Sequence, residues 1–439
     1  MSVLEPPTHN DWKSFTLNDP EGVKEYPAIY LDCRDQFCHK PYFFILSIRL
    51  LGMYTPKFFS FFFLTVLILV PCFLGSPANR MTMKTESSAA TVETSPSSRG
   101  GHVMVYDSGN QKIILFGGFR NPWGYNVSDE TWEYDYASNR WTNLDPTTKP
   151  SPRAHQCIVY DSVNQKTVLF GGYGPGGDLS DTWTYDYASN KWTQVFPVSS
   201  PSIRKSHSMI YDSVNQKIIL FGGYGAADRL LNDTWAYDYT SNTWTELNPP
   251  TSPIARYGHT MVYDSSNQKV ILFGGNTRNA GYQNDTWAYD YTTNTWSELS
   301  PTTKPDVRYW HAMVYDSDNQ KVILFGGYIQ SSNGLIFYND TWIYDYAIDE
   351  WNQASPTIHP PAREGLALAY DSVNQKVILF GGHNNIETLG DTWAYDTASN
   401  TWEMMEVLIT SADFFTLEIL LVSLGVLGII YWYKRRTYR

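Results

Sequence analysis

Between residues 99 and 402 the chain repeats one arrangement of apolar and polar positions, seen most plainly from Arg256 to Leu299. A short apolar stretch, His259 to Tyr263, runs into the polar segment Asp264-Ser265-Ser266-Asn267-Gln268. Asx side chains bond to their own main chain and tolerate left-handed backbone, so this segment predicts a tight turn. The run Val270-Ile271-Leu272-Phe273 is continuously apolar, as expected of a strand covered on both faces. Gly274-Gly275 ends it, and glycine accepts backbone angles that other residues do not. After a variable loop come Thr286-Trp287-Ala288-Tyr289 and, past a turn at Asn294, Thr295 to Leu299. These last two segments alternate, so one face is expected to be wet. The pattern predicts four antiparallel strands in one twisted sheet.

The Gly-Gly pairs begin at Gly117, Gly171, Gly222, Gly274, Gly326 and Gly381, giving steps of 54, 51, 52, 52 and 55 residues. Contiguous self-similarity at this period signals a repeat architecture, and six sheets in a row close most readily into a ring. A tyrosine and a tryptophan follow each Gly-Gly with six residues between them. The pairs are Tyr134 and Trp141, Tyr185 and Trp192, Tyr237 and Trp244, Tyr289 and Trp296, Tyr344 and Trp351, and Tyr395 and Trp402. In these features the repeat resembles the kelch motif. The resemblance implies an all-β fold: a six-bladed kelch-type β-propeller of four-stranded antiparallel blades over residues 99–406. Many kelch propellers complete one blade with strands from both chain ends. Each copy here carries its own four strands, so the first and last blades are expected to meet by packing alone, in a ring that opens more readily.

Composition narrows the class. Aromatic residues make up 16% of the 439, and the net charge of −12 argues against a nucleic-acid partner, whose affinity comes from neutralised phosphates. Of the four cysteines only Cys157 lies among the repeats, which rules out a disulfide framework there.

The flanks suggest attachment to a membrane. Residues 1–52 form an extension of unassigned fold or an over-long gene start, and Cys33 and Cys38 make at most a weak metal or disulfide pair. Met53, Lys57 and the apolar run from Phe58 to Gly75 read as a signal peptide or an uncleaved signal anchor over 53–78. Residues 79–98, rich in Ser and Thr, read as a linker. A short stalk at 407–413 leads to the apolar stretch 414–433, long enough to span a bilayer as a C-terminal transmembrane helix. Tyr431-Trp432-Tyr433 suits the interface, and the basic tail 434–439 suits the cytoplasmic side. This arrangement places the repeats outside the cell. Sequons at Asn126, Asn232, Asn284 and Asn339 are compatible with that placement.

Residues locked to the repeat are first read as structural. Arg99, Arg153, Arg204, Arg256, Arg308 and Arg363 precede each first strand. Glu130, Asp181, Asp233, Asp285, Asp340 and Asp391 start each third strand. In a four-stranded meander both lie at the same end, so one arginine–carboxylate pair per blade is expected. The alternative is an arginine ring that takes an acidic ligand. His102, His207, His259 and His311 share a strand-start position and read as structural polar contacts rather than a metal site.

Residues that break the repeat are the better binding candidates, because variable loops on a rigid scaffold carry recognition. Those loops hold Phe119, Arg120, Trp123, Tyr125, Tyr173, Tyr224, Arg229, Arg278, Tyr282, Phe337, Tyr338 and His383. The connections between repeats add Tyr257, Tyr309 and Trp310 at the same end. Exposed aromatics beside Arg and Asn suit stacking on sugars or anchoring a protein, so the expected partner is a surface glycan or protein. No cofactor or metal is expected. Galactose oxidase is also built on kelch blades, and likeness to it would imply copper, tyrosine and histidine ligands and a Tyr–Cys crosslink. Cys157 lies inside a strand, and no paired carboxylates or Ser-His-Asp arrangement stand out, so a binding module is expected rather than an enzyme.

Overall fold

A computed structural model describes residues 95–121 and 126–405. They form six antiparallel blades of four strands in sequence order, the third joined by the short strand Arg204–Lys205, with two-stranded hairpins in the loops of the fourth and fifth. In the first blade the four strands are Val103–Asp107, Lys112–Phe116, Thr131–Asp135 and Arg140–Asn143. The other blades occupy 157–195, 208–247, 260–299, 312–354 and 367–404. The first strand of every blade lies beside the first strands of both neighbours, closing a ring around the axis. Among the described residues no helix is long and apolar enough to cross a membrane. The expected signal segment, linker and stalk, the apolar stretch 414–433 and the basic tail all fall outside the described residues, apart from 95–98.

The core consists of six wedges between blades. Each second strand is buried on both faces: Ile113, Leu115 and Phe116 in the first blade are at most 1% exposed. Ile114, Phe116, Ile158, Leu169, Tyr185 and Trp192 pack between the first and second blades. Met104, Leu115, Trp141, Ala369, Ile378 and Phe380 pack in the same way between the first and the sixth. The fourth-strand tryptophan of each blade reaches back one blade and donates Nε1–H to a threonine hydroxyl. Trp192 bonds Thr131 at 3.0 Å and Trp244 bonds Thr182 at 3.2 Å. Trp141 bonds Thr392 at 3.0 Å across the closing junction.

The polar turns follow the sequence with one difference. Asp264 accepts from the Asn267 backbone N–H and side-chain amide at 3.0 and 2.8 Å, but the left-handed residue is Gln268, with φ of 56°. The Asx residue holds the turn by hydrogen bonding while its neighbour takes the strained conformation. At the other end, the second glycine of each pair has a φ between 93° and 105°. A Cβ on Gly223 would lie 2.8 Å from His207 Cβ and 2.9 Å from the Lys205 carbonyl, so glycine is required for the segment entering the blade to lie against its second strand.

The repeat arginines are fully buried and staple the junctions. The Arg256 backbone N–H donates to Leu231 O of the preceding blade, and its carbonyl accepts from Gly223 N there. Its guanidinium turns into its own blade, donating to Gly274 O at 2.9 Å and to both Asp285 oxygens at 2.7 Å. Asp181, Asp233, Asp340 and Asp391 pair with Arg153, Arg204, Arg308 and Arg363 at 2.6–2.7 Å, and Glu130 pairs with Arg99 at 2.6 Å. Arginines with every guanidinium edge engaged inside the protein do not present a ring to an acidic ligand, which corrects the alternative raised from the sequence.

The expectation that the first and last blades meet by packing alone is also corrected. Arg99 N–H donates to Leu389 O and Gly382 N–H donates to Arg99 O, the same pair of bonds as at the Arg256 junction. A second set of bonds encircles the axis. Gly101, His155, Ser206, Gly258, Trp310 and Gly365 each donate N–H to the carbonyl of the equivalent residue one blade back, at 2.7–2.9 Å. Gly101 donates to Gly365, which completes the circle. No strand crosses the junction, yet the bonding there matches the other five.

Burial alone would raise the Asp285 carboxyl, but the Arg256 hydrogen bonds and charge outweigh it and hold the group below the usual carboxylate range. The same balance lowers Glu130, Asp181, Asp233, Asp340 and Asp391. A depressed folded-state pKa contributes stability above the unfolded value and loses it as pH falls through the folded one. Urea unfolding measured from pH 6 to pH 3 is therefore expected to show stability falling steadily below about pH 4. Arg256→Met, which strands Asp285, is expected to cost about 3–5 kcal/mol in the same assay. Arg256→Met/Asp285→Asn is expected to cost less, and equal losses would show that the pair is not the source.

Candidate binding site on the loop face

The circle of backbone bonds fixes the mouth of the ring on the face where the variable loops emerge. All six of its residues have left-handed backbone, with φ of 52–65°. Three are glycine, and the remaining side chains stand where the others have none. His155 in the second blade and Trp310 in the fifth, opposite one another in a six-fold ring, stack at 5.0 Å with 13° between their planes. A Cβ on Gly258 would lie 2.9 Å from Trp310 Cδ1, and one on Gly101 would lie 3.0 Å from His155 Cε1. The glycines make room for two rings that lie across the axis. Burial, with a smaller contribution from Lys205, lowers His155 to about 3, so it is neutral.

Other rings extend from this pair. Phe119 meets His155 edge-on at 5.2 Å, and Tyr173 lies 6.4 Å beyond it. On the other side Trp310 meets Tyr309 at 4.8 Å and Tyr257 at 6.2 Å. Tyr309 stacks on Tyr282 at 5.1 Å and packs on Tyr328 at 4.6 Å, and its hydroxyl bonds that of Tyr328. Tyr328 stacks on Phe337 at 5.2 Å, while Tyr257 meets Tyr224 at 5.4 Å. The rings thus form one connected layer, densest over the fourth and fifth blades.

Three ionisable side chains border the layer. Lys205 pairs with Asp178 at 2.9 Å and lies over the Tyr173 ring at 4.6 Å. His383, lowered to about 4 by burial, is neutral and sits within hydrogen-bond distance of Thr388 Oγ1 at 3.0 Å. Its backbone exchanges two hydrogen bonds with that of Glu364. Glu364 is half-buried, and burial pushes its carboxyl up to about 8.

The candidates from the sequence separate into groups. Tyr173, Tyr257, Tyr282, Tyr309, Trp310 and Phe337 join the ring layer together with Phe119; Phe119 and Tyr309 are themselves buried. Tyr338 is a support residue: its ring lies 4.1 Å beneath the Arg308 guanidinium, and its hydroxyl donates to Val307 O. Arg120 donates to Ser128 and pairs with Glu130. Arg229 and Arg278 are exposed. Trp123 and Tyr125 lie outside the described residues. His155, Lys205, Tyr328 and Glu364 were missed, although the two residues after each repeat arginine and the residue after each Gly-Gly hold all four. Reading those three positions across the six copies would have found them.

Comparison with known families agrees with this geometry. A profile described as Attractin/LZTR1 beta-propeller matches residues 170–363, and one described as KLHDC2/KLHL20/DRC7 Kelch-repeats domain matches 79–252. The Kelch motif profile matches 369–406. The chain is a kelch-repeat protein whose repeats fold as a six-bladed β-propeller. Mei4-dependent protein 6 of Schizosaccharomyces pombe is 23% identical over 357 residues, covering 73% of this chain and 51% of that protein. Multiple epidermal growth factor-like domains protein 8 is 25% identical over 307 residues in Mus musculus and 24% over 306 in Rattus norvegicus. In both, 66% of this chain and 11% of the relative are covered. The chain therefore spans about half the length of the first relative and about a tenth of the other two.

Glycine occupies the Trp310 position in three blades, and the Trp310 backbone is already left-handed at 52°. Trp310→Gly is thus expected to relieve backbone strain while losing ring packing, two changes of about 1 kcal/mol each. Thermal unfolding is expected to shift by a few degrees at most, and a far larger loss would show that the ring is part of the core.

Proposed function

We propose that the protein is a recognition module whose loop face binds a protein partner, with no catalytic role. The observation that carries this reading is the connected aromatic layer at the mouth. Half-buried tyrosine and tryptophan rings, surrounded by variable loops, are the composition of binding hot spots. Next to the layer, Leu335, Ile336 and Ile386 are 47%, 44% and 87% exposed on loops of the fifth and sixth blades. The opposite face carries near-identical Asp-Ser-x-Asn-Gln turns and little to discriminate partners with.

A glycan stacked on the same rings is the second ligand class, favoured by their planar aromatic surface. Copper chemistry of the galactose-oxidase kind has less support. Among the described residues no group of three or more His, Cys, Asp or Glu is placed to hold a metal. Cys157 Sγ sits 3.8 Å from Met209 O against the neighbouring inner strand. The apolar stretch 414–433 and its basic flank support a module anchored in the cell membrane by a single span, with the propeller outside.

The full chain in lipid nanodiscs, probed against arrays of cell-surface proteins and glycans, tests the reading. Tyr257→Ala/Tyr328→Ala is expected to weaken the ligand found by at least about tenfold. Val214→Asp, on the opposite face and 52% exposed in the native chain, is expected to leave it unchanged. Binding that survives the first variant and fails in the second would move recognition to the turn face.

A further inference from the structure

The ring layer is uneven in charge. The residue after each repeat arginine is Gly100, Ala154, Lys205, Tyr257, Tyr309 or Glu364. Five of these positions are neutral or already paired, since Lys205 is held by Asp178. Glu364 differs: among the described residues its carboxylate has no hydrogen-bond or ion-pair partner, while its backbone is fixed by two bonds to His383. Gly365, the next residue, donates to Trp310 O at 2.9 Å, which seats Glu364 at the edge of the aromatic layer. Burial raises the Tyr328 phenol, and the nearby Glu364 charge adds to that rise. An unpaired carboxylate near the Tyr328 ring, at the edge of an aromatic layer, is complementary to a cation, which gains from the charge and from the ring quadrupole together.

We propose that the edge of the layer at Glu364 and Tyr328 is a pocket for a basic side chain, lysine or arginine, projecting from the partner protein. This rests on the reading of the loop face as a protein-binding surface and adds the chemistry that surface selects. Leu335 and Ile336 are exposed on the hairpin that carries Tyr328, and Ile386 on the loop after His383, so the bound segment carries apolar residues beside its basic one. The overall charge of −12 favours approach of such a segment.

The sign of the pH dependence follows. The cation pairs with ionised Glu364, whereas burial keeps the free carboxyl largely protonated below about 8. The groups facing it do not titrate in that range: His383 is neutral above about 4, Tyr328 is raised to about 12, and Tyr309 and Tyr257 are also raised. Affinity for a lysine-containing segment therefore rises by up to about tenfold per pH unit between 6 and 8, and levels off above that.

The test is selection of a random dodecapeptide display library on the full chain in nanodiscs, beside Glu364→Gln and Tyr328→Ala. Recovered peptides are expected to be rich in Lys or Arg flanked by apolar residues. Affinity of such peptides is expected to fall at least about tenfold with Glu364→Gln, and to rise from pH 6 to 8 in the native chain but not in Glu364→Gln. Thermal unfolding of both variants checks that the propeller is intact. Peptides that are lost with Tyr328→Ala but are acidic or neutral would leave the loop-face reading standing and overturn the cation pocket. Peptides indifferent to both variants would overturn both.

Discussion

The structure depends on one arginine per repeat that belongs to two blades at once. Its main chain bonds the Gly-Gly corner of the blade before it, while its guanidinium bonds the Gly-Gly carbonyl and the third-strand acid of its own blade. Guanidinium is suited to this because its planar fork fills several acceptors without a change of protonation. A buried ion pair of this kind adds little net stability over an apolar equivalent, but losing either partner is costly. Its contribution is registration: it fixes where each blade meets the next, so the apolar wedges and the Trp-to-Thr bonds fall into place.

Registration has a consequence at the mouth. Six residues held by the staples pass a backbone hydrogen bond from blade to blade until the last reaches the first. The backbone is left-handed at each of them, and the sequence fills those places unequally. Glycine at three positions leaves room, and His155 and Trp310 occupy it. The scaffold thus converts a regular repeat into an irregular aromatic surface while the framework stays six-fold.

Much of this was legible in the sequence. Periodicity gave six blades of four strands, and the matched arginines and acids gave the ion pairs, because both follow from local pattern and strand direction. Loop-face tyrosines were legible as departures from the repeat. The closing junction was misjudged because its bonds run through main-chain groups of Arg99, Gly101 and Gly365, which no side-chain pattern reports. His155, Tyr328 and Glu364 share repeat positions with Trp310, Tyr173 and Tyr257, and were missed because a histidine, a tyrosine inside a strand and a lone glutamate do not stand out in one blade read by itself. Their meaning comes from ring closure, which brings the second blade opposite the fifth and seats Glu364 beside Trp310.

Native-state hydrogen exchange at the six mouth amides tests the central claim that the ring closes as firmly as it is built. The amides of Gly101 and Gly365 are expected to exchange as slowly as those of His155, Ser206, Gly258 and Trp310, in one cooperative opening. Exchange at Gly101 that is markedly faster than at the other five would show that the first and sixth blades part independently, and would contradict it.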